Sequence, residues 1–171
     1  MTAFSNDSEE WQRLDWQLLQ NSPIALYHNA AVLAQDMKWF ETAGYAVLPL
    51  PVGIWESLGE FLDALAQLLR FPAYFGRNLN ALNDCLSDIE VPQESGLVIV
   101  FPEFQRFASS CPSEAQVVLD IFADVSRRFL LTGQRLLVLV HSSDPGISFE
   151  PVGATPVLWN PSEWLNSKRS R

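Results

Sequence analysis

The chain has 171 residues, 48% of them hydrophobic and 18% charged, with 6 Trp, 3 Tyr and 11 Phe. That composition supports one domain with an extensive apolar core and excludes extended disorder. Twenty Asp plus Glu against eleven Lys plus Arg give a net charge of −9, a field that repels phosphate backbones and disfavours direct nucleic-acid binding.

Through residue 22, Trp11, Leu14 and Leu18 recur at helical spacing in a polar stretch, which predicts a short helix docked on the main body. The run IALYHN from Ile24 predicts a strand. Leu33, Met37 and Phe40 then give one apolar face to a helix over 30–43, stopped by Gly44. YAVLPL (45–50) reads as a second strand, and Leu58, Leu62, Leu65 and Leu69 form the stripe of a helix over 55–70, ended before Pro72. Asn78 is a favourable N-cap for a helix over 78–89 that turns Leu79, Leu82, Leu86 and Ile89 inward.

LVIVF (97–101) and LLVLV (136–140) are continuous apolar runs of the kind expected from strands covered on both faces. Between them, Ser113 and Gln116 after Pro112 have the spacing of a capping box. Val118, Ile121, Phe122, Val125 and Phe129 line the helix that follows, to Thr132-Gly133. Beyond His141 the chain turns to Gly, Pro and Ser, with a last strand expected in PVLWN (156–160) and a basic end at Lys168, Arg169 and Arg171. Apolar strands alternating with amphipathic helices predict an α/β fold, a parallel sheet with helices on its faces.

Chemistry-bearing motifs are few. No nucleophile elbow, P-loop, dinucleotide fingerprint or HExxH occurs, so no enzyme and no cofactor are expected. Cys85 and Cys111 are too few for a disulfide framework and lack zinc spacing, which predicts reduced thiols, Cys85 on the core side of its helix. His28 and His141, at strand ends, read as structural or surface groups. With neither a signal-peptide pattern nor an apolar run near the roughly 18–20 residues of a membrane span, a soluble cytoplasmic protein is expected.

The informative feature is the outer face of the 78–89 helix, where Asn80, Asn83, Asp84, Ser87 and Asp88 fall at i, i+3, i+4, i+7 and i+8. These are weak helix formers where Glu, Lys or Gln would serve solubility better. A stripe of short acceptors, preceded by Tyr74 and Asn78, suits a cationic partner at little cost in side-chain entropy. The plain alternative is a solvated face. Asp84 and Asp88 alone are too few to hold a divalent cation, and no metal is expected.

The segment FPAYFGRNLNALNDCL, Phe71 to Leu86, resembles the signature of the barstar family of ribonuclease inhibitors: Pro72, Tyr74, Phe75, Gly76, Asn78, Leu79, Ala81, Leu82, Asp84, Cys85 and Leu86 stand in the family's order without a gap. Similarity continues more loosely through residues 45–141. The resemblance implies a three-layer arrangement, a small parallel sheet flanked by helices. Here it would be extended by an extra N-terminal β-α unit (1–44, packed on the core) and a C-terminal segment (142–171) with a basic tail.

The resemblance also implies inhibition of a basic ribonuclease or nuclease toxin domain, as an immunity protein would do, by an acidic helix face placed in the active site. Asp84 matches the family's central aspartate, which stands in for an RNA phosphate. Tyr74 and Asn78 match contacting loop positions, Ser87 a small hydroxyl, and Asp124 a second acidic contact on a later helix, although its spacing to Arg127 and Arg128 also fits intrahelical ion pairs. Asn80 replaces an aspartate and Asn83 a tryptophan of the prototype. Those two departures motivate the alternative of an interaction module that keeps the fold without inhibiting a nuclease.

Overall fold

The computed structural model describes residues 7–164. Five strands, β1 (Ile24–Tyr27), β2 (Ala46–Pro49), β3 (Leu97–Phe101), β4 (Leu136–His141) and β5 (Leu158–Trp159), form one parallel sheet in the order β2-β3-β4-β1-β5. Among the described residues seven α-helices accompany it: α1 (Leu14–Leu19), α2 (Ala30–Thr42), α3 (Leu58–Leu69), α4 (Leu79–Ser87), α5 (Gln105–Ser110), α6 (Pro112–Leu131) and α7 (Pro161–Trp164). The fold is α/β, with helices on both faces of the sheet as expected.

Both faces are apolar because β3 and β4 are buried at every residue. On one face Leu18 of α1 and Leu33 and Phe40 of α2 cover Tyr27, Val98, Val100, Leu137 and Leu139. On the other, Leu62, Leu65, Leu82, Leu86, Val118 and Phe122 from α3, α4 and α6 cover Leu26, Ile99, Val138 and Val140. Phenylalanines thicken this second core: Phe61 stacks on Phe107 at 4.4 Å between ring centroids and meets Phe101 edge-on. Each such pair adds about 0.5–1.5 kcal/mol beyond area burial.

Local chemistry sets most boundaries. Asn29 caps α2 by accepting from the Ala31 amide at 2.8 Å. At α3 a full capping box forms, Ser57 accepting from the Glu60 amide while the Glu60 carboxylate accepts from the Ser57 amide. The capping box anticipated at Ser113 and Gln116 is absent. α6 begins instead at Pro112, whose fixed φ and missing N–H suit the first helical position. The Gln116 amide is drawn away to the Glu150 backbone. The N-terminal helix is split into a 3-10 turn (Glu10–Gln12) and α1, the last strand shrinks to two residues, and α5 is an additional helix. The basic end at Lys168, Arg169 and Arg171 lies outside the described residues.

Two buried carboxylates bind the flanking segments to the centre. Asp15 of α1, 0% exposed, accepts from Arg13 at 2.7 Å, from the Tyr45 hydroxyl at 2.5 Å and from Arg135 at 3.3 Å. Burial works to raise the Asp15 pKa, but the bonds from Arg13 and Tyr45 outweigh it and hold the carboxyl below its ordinary value. Glu163 of α7 accepts from the His28 and Asn29 amides at the start of α2. Gly96 is required by this arrangement: at φ +143°, a Cβ would lie 2.5 Å from the Tyr45 ring and 2.7 Å from the Arg135 carbonyl oxygen.

Deleting residues 1–44 should expose the β4 edge and abolish the cooperative thermal transition followed by circular dichroism; a soluble, cooperatively melting 45–171 fragment would contradict this. Because the Asp15 pKa is depressed on folding, its stabilisation is present above the ordinary carboxylate range and is lost as pH falls through and below it. Urea titrations between pH 7 and pH 3 should show that loss. Asp15→Asn should cost roughly 3 kcal/mol at pH 7 and flatten the profile.

Candidate partner-binding face

The face rests on α4. The Asn78 side chain accepts from the Ala81 amide at 2.9 Å and donates to the Gly76 carbonyl at 3.1 Å, so this loop residue starts the helix. Leu82, Cys85 and Leu86 point inward and are buried. The 3.6-residue period then leaves Asn80, Asp84 and Asp88 exposed, with Asn83 and Ser87 half-buried. Tyr74, in the preceding loop, is 83% exposed. In the same loop Arg77 reaches back to Asp63 of α3 at 2.6 Å.

α4 packs on α6, which brings Asp124 to the side of the face where Asn83 lies. There Arg128 bridges the two helices, its Nη2 donating to Asn83 Oδ1 at 2.8 Å and its Nε lying 3.3 Å from Asp124 Oδ2. The intrahelical pairing foreseen for Asp124 therefore forms with Arg128, whereas Arg127 donates to the Gly153 carbonyl. Ser87 donates to the Asn83 carbonyl at 2.7 Å. Tyr74, Asn80, Asp84 and Asp88 thus face solvent, while Asn78, Asn83, Ser87 and Asp124 already hold intramolecular partners.

A cavity of about 630 Å3 opens beside the face, bounded by Leu68, Phe71, Tyr74, Cys85, Asp88 and Ile89. Burial, and then the neighbouring Asp84 and Asp88 charges, push the Cys85 thiol up, which keeps it protonated and a poor nucleophile. The histidines stand elsewhere, at the ends of the adjacent strands β1 and β4. His28 Nδ1 lies 3.0 Å from the Ser142 carbonyl, and His141 Nδ1 lies 3.2 Å from Glu103. The Glu103 carboxyl is held below its usual range chiefly by the Gln105 amide, then by the Ser143 hydroxyl and His141. Among the described residues, no group of three or more His, Cys, Asp or Glu is placed to hold a metal ion, and no helix is long and apolar enough to cross a membrane.

Sequence reasoning missed Arg128 as part of the face. Its i, i+4 relation to Asp124 is visible in the sequence; its reach to Asn83, 45 positions away, is not.

Residues 45–141 match the family model for barstar, the barnase inhibitor, over more than half of the chain, and the protein belongs to that family. No curated protein matches it. The matched span runs from the residue before β2 to the end of β4 and contains α3 to α6, hence all of α4 and Asp124; β1, α1, α2, β5 and α7 lie outside it.

Asn78→Ala should lower stability by about 1 kcal/mol in urea denaturation, the usual cost of losing an N-cap. Asp84→Ala, on the exposed face, should stay within about 0.5 kcal/mol of the parent protein.

Proposed function

We propose that the protein inhibits a basic ribonuclease by laying the outer face of α4 over the enzyme's phosphate-binding groups, with Asp84 in the place of a substrate phosphate. In a cell that carries such a nuclease or a nuclease toxin, this is the work of a cytoplasmic immunity protein. The observation that carries the reading is the exposed Asp84 on a short, capped helix whose inner face is buried, set in the segment that matches the inhibitor family. A carboxylate so placed is available to guanidinium and imidazolium groups without rearrangement of the backbone that bears it. The net charge of −9 supports the same reading, because complementary fields raise the encounter rate with a basic enzyme.

The experiment is calorimetric titration against barnase, together with RNA cleavage assays. The parent protein should bind and inhibit. Asp84→Ala should weaken binding by about 2 kcal/mol or more, the general range of interface hot spots, of which the barnase–barstar pair is itself a standard example. The association rate should fall steeply with added salt while dissociation changes little. An unchanged dissociation constant for Asp84→Ala would remove the mechanism.

A further inference from the structure

The α4 face is less uniformly acidic than the sequence implies. Arg128 is 45% exposed and Asp124 55%, so their pairing adds little to stability. Its consequence is electrostatic. The guanidinium lies against the Asp124 carboxylate, holds the Asn83 oxygen toward α6 and, being 45% exposed, leaves donors and positive charge on the α6 side of the face. At the N-terminal end of α4, Arg77 and Asp63 form a second exposed ion pair. What remains is a strip, Asn80, Asp84 and Asp88, flanked by two arginines.

A guanidinium has five donors in a planar fork suited to a carboxylate, and it repels a neighbouring cation. A nuclease surface that is cationic over the whole contact area would set positive charge against Arg128, and like charges across an interface act as a filter against wrong partners. We propose that Arg128 is the specificity-determining residue of this surface: it masks Asp124 and selects a partner whose cationic groups are confined to the strip opposite Asp84 and Asp88, with a carboxylate opposite Arg128. This rests on the inhibitor reading and names the partner's chemistry within it.

The test uses the full chain with barnase as the probe. Arg128→Glu should bind at least tenfold more tightly than the parent protein, and more tightly than Arg106→Glu, a reversal of equal charge on α5. Asp124→Asn should change binding less than twofold in the parent protein and weaken it at least fivefold in the Arg128→Gln background, where the carboxylate is unmasked. Thermal melts check that each variant is folded. Equal affinities for Arg128→Glu and Arg106→Glu, with Asp84→Ala still disruptive, would overturn the role of Arg128 and leave the inhibitor reading standing. If barnase binds no variant, Arg128→Glu included, both fall together.

Discussion

β4 is the constraint on which the rest of the structure depends. All six of its residues, LLVLVH, are buried, so it needs a hydrogen-bonded strand on each side and apolar cover on each face. β3 supplies one side and β1 the other, in register from Ile24 opposite Val138 to Tyr27 opposite His141. The N-terminal strand is thereby placed inside the sheet, although it lies outside the span shared with the family. α6 packs on β4 and α4 packs on α6, so the orientation of the candidate face is inherited, through two layers of contact, from the pairing at the centre of the sheet.

The polar groups reinforce this hierarchy at both ends of the strands. Asp15 ties α1 to the residues that precede β2 and β4, and Glu163 closes the start of α2 from the far end of the chain. Tyr27 donates to Asp36 at 2.6 Å, and burial holds that carboxyl above its ordinary value. Buried carboxylates without such donors would be costly. With them, the segments before and after the matched span become structural parts of one sheet.

Much of the fold was legible because the signals were local. Continuous apolar runs marked β3 and β4, and Asn78 marked the start of α4, since a side-chain oxygen beside unpaired amides acts over three residues. The six-residue α5 offers too little periodicity to be read from sequence. At Ser113 two start signals competed and Pro112 prevailed. Strand order was beyond reach for a different reason: nothing in IALY states that it lies between β4 and β5, which is a property of how the crossovers pack. The face divides in the same way. Helical spacing showed which residues of α4 turn outward, whereas the commitment of Asn83 and Asp124 depends on a guanidinium arriving from another helix.

The central claim is that the outer face of α4 and the loop before it form the contact surface for a ribonuclease. Backbone hydrogen exchange of the chain alone and saturated with barnase tests it most directly. The account predicts added protection across residues 74–88, with α2 and the 142–150 segment unchanged. Protection confined to α2, α7 or the 142–150 segment, with 74–88 unaltered, would contradict it.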